Sequence, residues 1–307
     1  MHPWRFLAAL VLMTPAPVSL FAQETDAPEI IVSGERPLDT DAIRLAVREL
    51  AKVHRSDEPL LRFHDPVCLS VSGLGAAASS QVRERILENT RAADVPVADK
   101  GCRANALVLI VDDPASLIEG IQKDQPKLLS PAKRRPLDAA LARGEKALVW
   151  HNEETRGAQG QALRTSFSAP GMPVTGPSSQ LGAETRINNH GRARRVGATD
   201  SRAVVNGAVI LNVENLVGMD LERVADFATM RLLVPGVRVV PDALAGVEED
   251  GAVRPQSVLA PFSPDQGAER LTRFDRAWME ALYSLEPNAS STRLPAAVAN
   301  AYENGSE

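Results

Sequence analysis

Apolar residues recur along this chain with two different periods, and the switches between them predict the order of its elements. From Asp41 to Val53, Ile43, Val47 and Leu50 stand at i, i+4 and i+7, which places them on one face of a helix. Val67-Cys68-Leu69-Ser70-Val71 then alternates apolar and small polar residues, as a half-buried strand does. Behind a glycine-rich turn, Val82, Ile86 and Ala93 line a helix over about 76–93. The unbroken apolar run Ala106 to Val111, bounded by Asn105 and Asp112, predicts a central strand. Pro114 opens a helix carrying Leu117 and Ile121, Pro136 opens another that ends at Gly144, and Ala147 to Trp150 reads as a short strand.

Between Thr155 and Asn189, glycines and prolines from Gly157 to Gly182 break every period, which predicts a long mobile loop at about 155–190. Val204 to Val213 resumes as a strand, and Asp220 caps a helix in which Leu221, Val224, Ala225, Ala228 and Leu232 share a face. After a further irregular stretch to Gly267, Thr272 caps an amphipathic helix whose inner face is Phe274, Ala277, Trp278, Ala281, Leu282 and Leu285. A last short helix is expected near Pro295 to Glu303. Strands interspersed with helices, with uneven lengths and long irregular connections, predict an α+β fold: a mixed β-sheet packed by several helices in a single domain over 41–307.

The first 22 residues have a different character. Arg5 is the only charge ahead of the apolar stretch Phe6 to Met13, and Thr14-Pro15-Ala16-Pro17 and Leu20-Phe21-Ala22 follow. This pattern predicts a secretory signal peptide cleaved after Ala22, with 23–40 as a polar tether. The apolar run is shorter than the roughly 20 residues a bilayer span needs, so no transmembrane anchor is expected after cleavage. The expected location is the periplasm or the exterior. No cysteine follows the cleavage point directly, which argues against a lipoprotein. The only cysteines, Cys68 and Cys102, form an even pair in an exported chain and are predicted to be bonded to each other.

Composition narrows the function classes. The chain is 44% apolar and 24% charged with a net charge of −5. Without a concentrated basic face, general affinity for nucleic acid or anionic lipid is excluded. One local exception is the run Arg186, His190, Arg192, Arg194, Arg195 and Arg202. Guanidinium forks suit carboxylates and phosphates, so Arg186, Arg192, Arg194 and Arg195 are candidate anion-binding residues.

Other motifs are weaker. Gly73-Leu74-Gly75-Ala76-Ala77-Ala78 has the spacing of a dinucleotide-binding turn. Its strand carries Ser70 and Ser72, however, and no acidic residue ends a strand about 20 residues on, so a plain strand-to-helix turn is expected and no cofactor. His54, His64, His151 and His190 include no pair three or four residues apart, and the chain has no G-x-S-x-G. No metal site and no complete catalytic set follow from the sequence. The nearest thing to a cluster is His151 with Glu153 and Glu154. His64-Asp65 beside Pro66 reads as a solvated turn rather than part of a triad.

Asp220-Leu221-Glu222-Arg223-Val224-Ala225-Asp226-Phe227-Ala228-Thr229-Met230-Arg231, followed by Phe274-Asp275-Arg276-Ala277-Trp278-Met279-Glu280-Ala281-Leu282-Tyr283, resembles uncharacterised exported proteins of alphaproteobacteria. These are similar in turn to a domain-of-unknown-function family with a zincin-like fold. The resemblance implies that the helix from Asp220 occupies the place of a zinc-binding helix. A zincin needs H-E-x-x-H there, and this chain has Ala225, Asp226 and Thr229 at the critical positions. The motif is absent, so the resemblance implies a fold and no peptidase mechanism, with Asp226 expected as a helix-surface acid. The expected function is therefore non-catalytic: an exported envelope protein that binds a protein or an anionic ligand. The alternatives are a hydrolase with a non-standard site around His151, Glu153 and Asp226, and a small anionic-ligand binder at Gly73 to Ala78.

Overall fold

The computed structural model describes residues 38–51, 58–126, 128–167, 184–187, 198–238, 245–247, 253–260, 262 and 267–305. The expected leader and most of the expected tether lie outside the described residues. Helix α1 (Thr40–Leu50) already begins at the end of the stretch assigned to the tether, with Asp39 at its N-cap position. Ile43, Val47 and Leu50 are buried, as their spacing requires.

The main sheet is built on β7 (Asp200–Asn212). Along one edge, β4 (Ala147–Gly157) runs antiparallel for its whole length, with a register slip between Asn152 and Glu153. Along the other edge lie β1 (Leu61–Arg62) and β3 (Ala106–Val111), both parallel to β7, and β2 (Leu69–Ser72) adds in parallel outside β3. The sheet is mixed, as expected. Ala106, Val108 and Ile110 face one layer while Leu107, Leu109 and Val111 face the other. Burial on both faces explains why β3 reads as an unbroken apolar run. Among the described residues β2 pairs only with β3, so Ser70 and Ser72 reach partial or full exposure there and do not argue against a strand.

Two helical layers cover this sheet. On one side, α3 (Pro114–Asp124) and α4 (Pro131–Ala142) enclose a small cluster with Ile118, Leu137, Leu148, Trp150 and Ile210. On the other lies the larger core, formed with α1, α2 (Ala76–Ala92), α5 (Leu221–Leu233), α6 (Arg273–Ser284) and α7 (Leu294–Asn304). Helix α4 starts at Pro131, five residues before Pro136, because Ser130 and Pro131 provide a start signal, and Pro136 lies inside the helix. Helix α6 opens with the expected Thr272 cap, strengthened by a reciprocal bond from Asp275.

Two expectations need correction. Strand β4 continues past Trp150 to Gly157, because antiparallel pairing with the long β7 satisfies its backbone whatever the polarity of Asn152, Glu153 and Glu154. The stretch expected as a structureless loop therefore begins later, and it contains a short ladder of β5 (Arg164–Phe167) with β6 (Glu184–Ile187). Residues 168–183 and 188–190, the rest of that expected loop, lie outside the described residues. The irregular stretch before Gly267 likewise holds a ladder of β8 (Ala245–Val247) with β9 (Val253–Gln256).

Candidate functional site

Where the ends of α1 and α5 meet the start of the sheet, the backbone is laced together. Ala51 bridges Val237, the Arg238 amide donates to the Leu50 carbonyl, and Pro59 bridges Ser290. Arg62 is buried and donates to the carbonyls of Leu282 and Leu285, which closes the C-terminal end of α6. These ties leave a cleft of about 190 Å³ between them. Leu60, Leu61, Val237, Leu282 and Leu294 give it an apolar lining, and Trp278 of α6 contributes to its wall. The Trp278 side chain is fully buried, held edge-on to the Phe274 ring at 5.5 Å, and its Nε1 has no hydrogen-bond partner. The charged lining residues are Glu58 and Arg202, which pair at 2.7 Å, and Arg202 also pairs with Glu153.

Asp226 corrects the sequence reading most directly. Instead of a surface acid it is fully buried, because α5 is covered by α2, the sheet and the segment entering α6. Its carboxylate accepts from the Arg85 guanidinium at 2.8 and 3.1 Å, from Asn89 at 2.7 Å and from the Leu271 amide at 3.0 Å. Thr229 donates to the Ala225 carbonyl one turn back and accepts from Asn89. Zinc does not fit here. Ala225 has no donor atom, the Thr229 hydroxyl is occupied, and the acid expected to activate water has its lone pairs taken up by donors. Among the described residues, no group of three or more His, Cys, Asp or Glu is arranged to hold a metal ion.

The hydrolase constellation does not assemble either. His151 lies on β4 opposite Gly207, and a Cβ at Gly207 would stand 2.8 Å from the imidazole, so glycine makes room for the ring. Its Nε2 lies 3.0 Å from the Leu232 carbonyl, and since a carbonyl only accepts, this nitrogen carries the proton. Burial pulls the imidazole down to about 4, helped by the Arg231 and Lys133 charges and opposed by that backbone bond. Glu153 pairs with Arg202, and Asp226 belongs to the α2–α5 interface. Each member has its own structural partner, and none of these bonds links one to another.

His64-Asp65 is likewise structural. Asp65 forms a two-pronged pair with Arg156, which is almost fully buried and also holds Glu154. The hydrogen bonds from Arg156, and then its charge, keep the Asp65 carboxyl below its ordinary range against the opposing effect of burial. Burial first, then the charges of Arg62 and Arg156, pulls His64 down to about 4, while its bond to the Arg202 backbone works the other way.

The Gly73 turn is explained by packing. Gly73 has φ +101°, and a Cβ there would lie 1.7 Å from the Ile110 carbonyl oxygen, so the close approach that excludes a side chain is to β3. At Gly75 a Cβ would meet nothing within 4 Å. Of the candidate anion-binding arginines, Arg192, Arg194 and Arg195 lie outside the described residues, as do His54 and His190, and Arg186 is placed only by its backbone in β6. Arg202, in the same run, is paired with Glu58 and Glu153 rather than free for an anion.

Cys68 and Cys102 form a disulfide with Cα atoms 6.0 Å apart, which fits an oxidising location. No helix among the described residues is long and apolar enough to cross a membrane. Sequence reasoning missed the cleft, the Arg62 tie and the Asp226 hub. The only early signal for the cleft was Trp278, a large aromatic on the inner face of its helix. Compared with known proteins, the chain matches no established family, no curated protein and no solved structure.

Proposed function

We propose that this chain is an exported, non-catalytic binding protein of the cell envelope, carried out of the cytoplasm by its first 22 residues, and that the cleft beside Trp278 is its ligand site. The observation that carries this reading is the contrast between the two kinds of site. His151, Glu153, Asp65 and Asp226 each have a structural partner, whereas the cleft leaves apolar surface uncommitted. Ligand pockets are mostly apolar with a few polar groups that fix orientation, and this lining has that composition. The disulfide supports the compartment. The suggested kinship with zincin-like proteins bears on the framework alone, since α5 has Ala225 and Thr229 where that chemistry needs imidazoles.

The test is native mass spectrometry of the protein recovered from an envelope extract, before and after unfolding. A small molecule that travels with the folded chain and is released on unfolding supports the reading. A chain recovered with nothing bound, together with turnover of ester or peptide substrates that a His151→Gln variant lacks, overturns it in favour of the hydrolase. Recovery with residues 1–22 intact would contradict the export step.

A further inference from the structure

The two ends of the disulfide occupy unlike surroundings. Cys68 is buried, 6% exposed, at the entry to β2, whereas Cys102 is exposed, as are Lys100, Gly101, Arg103 and Ala104 around it. Asp99-Lys100-Gly101-Cys102 is a tight turn closed by the Cys102 amide on the Asp99 carbonyl, with Gly101 at φ +83° where such a turn needs a left-handed residue. The Cys102 end of the bond therefore lies on a solvent-facing turn. That turn carries two cations, Lys100 and Arg103, against one acid, Asp99, and among the described residues neither cation makes an ion pair.

The turn does not depend on the S–S bond to stay in place. Val67 bridges Val97, the Val67 amide donates to the Pro96 carbonyl, and the Ala98 amide donates to the Val67 carbonyl. On the far side, the Asn105 and Ala106 amides donate to the Cys68 carbonyl, and Asn105 Oδ1 accepts from the Cys68 amide. Hydrogen bonds thus fix the chain before and after the turn, so opening the bond frees Cys102 without dismantling the β2–β3 pair. Thiol–disulfide exchange is governed by which sulfur can be reached and by the charges around it. Here access selects Cys102, and Lys100 and Arg103 favour an approaching anion. We propose that Cys68–Cys102 is a reversible exchange site for small anionic thiols, entered at Cys102. The thiolate attacks the Cys102 sulfur, the S–S bond breaks, and its electron pair leaves on Cys68, which takes a proton from water. The product is a mixed disulfide on Cys102 and one thiol in the core. In reverse, the deprotonated Cys68 attacks the Cys102 sulfur and expels the small thiolate, so the bond is restored without an outside oxidant. This site is separate from the cleft and does not rest on its reading as a ligand site.

The experiment treats the folded protein with 3-mercaptopropionate and with cysteamine, thiols of similar length and opposite charge. Free thiols are trapped with N-ethylmaleimide, and adducts are located by peptide mass spectrometry. The mixed disulfide is expected on Cys102, with the maleimide on Cys68. Rates per thiolate are then compared between the unaltered chain and a variant carrying Lys100→Glu and Arg103→Glu, which cancels the different intrinsic nucleophilicities of the two thiols. The ratio of the mercaptopropionate rate to the cysteamine rate should be about fivefold larger on the unaltered chain at low salt, and this gap should shrink at about 1 M salt, where charges are screened within about 3 Å. Both substituted side chains are exposed, and if the variant nonetheless fails to fold, the adduct position in the unaltered protein decides. Adducts on Cys68, a rate ratio that the substitutions leave unchanged, or a reaction that proceeds only in urea that unfolds the chain would each overturn the inference.

Discussion

Asp226 and Arg85 join α5 to α2 through two bonds of 2.8 and 3.1 Å, and only the arginine of the pair reaches solvent, with 31% of its side chain exposed against none of the aspartate. The carboxylate also organises Asn89 and the Leu271 amide, so one acid connects two helices and the entrance to a third.

Replacing Asp226 should therefore be a stability lesion and nothing else. Asp226→Ala leaves Asn89 and the Leu271 amide without their acceptor inside the core, and each buried donor left unsatisfied costs about 1–3 kcal/mol, while the partly exposed Arg85 keeps access to solvent. Urea unfolding should show a midpoint well below that of the unaltered protein, with Asp226→Asn falling in between. Metal content should not change. A variant with an unaltered midpoint would mean that the hub does not stabilise the fold.

The bond between Cys68 and Cys102 should leave no titratable thiol in the mature protein under denaturing, non-reducing conditions. It closes a sequence separation of 34 residues. In the chain-entropy account such a loop contributes at most about 4 kcal/mol, which Cys102→Ser should forfeit. Two thiols detected in the unaltered chain would refute the pairing.

Stability should decline as the pH falls below about 6. Burial holds His64 and His151 near 4, below the ordinary imidazole value, so between these limits the unfolded chain binds two protons that the folded chain does not. Asp275 works in the opposite sense: burial, only partly offset by the Ser257 and Thr272 hydroxyls and by backbone amides, raises it to about 6, so the folded chain holds one proton more there. The balance is one proton in favour of the unfolded state, a slope of about 1.4 kcal/mol per pH unit. Denaturant midpoints taken between pH 4 and 6 should follow this slope, and Asp275→Asn should steepen it. A midpoint that is flat or rises on acidification would contradict the assignment.

Gly73 and Gly75 should respond very differently to alanine. Gly73→Ala forces a Cβ against the Ile110 carbonyl at a left-handed backbone position, and about 2 kcal/mol or more should be lost. Gly75→Ala places a methyl in open space at the N-cap of α2 and should cost about 1 kcal/mol or less. Thermal unfolding of the two variants separates a packing role from a phosphate cradle, for which both glycines would be needed.

Legibility along this chain followed the range of the interactions involved. The β3 run, the Thr272 cap, the inner face of α6 and the mixed α+β class were readable because periodicity and capping are local. The cysteine pairing was readable because only two were present. The full length of β4 was not, since its polar half is held by backbone bonds to β7, and those bonds carry no side-chain signature. Asp226 was misjudged because an acid among apolar residues on a helix looks the same whether solvent or an arginine from a distant helix neutralises it; here Arg85, 141 residues away in sequence, decides the matter. The cleft was invisible for the same reason. Leu61, Val237, Trp278 and Leu294 come from separate elements and share a cavity only once the chain is folded. The sequence by itself determined the helices and the β2, β3 and β7 strands, because their hydrophobic spacing must bury one face, but not the β5–β6 and β8–β9 ladders, which are held by backbone pairing. Tertiary structure alone decided which polar groups found partners, because a desolvated donor or acceptor is satisfied by whatever the fold brings beside it, and at Trp278 the fold brings none.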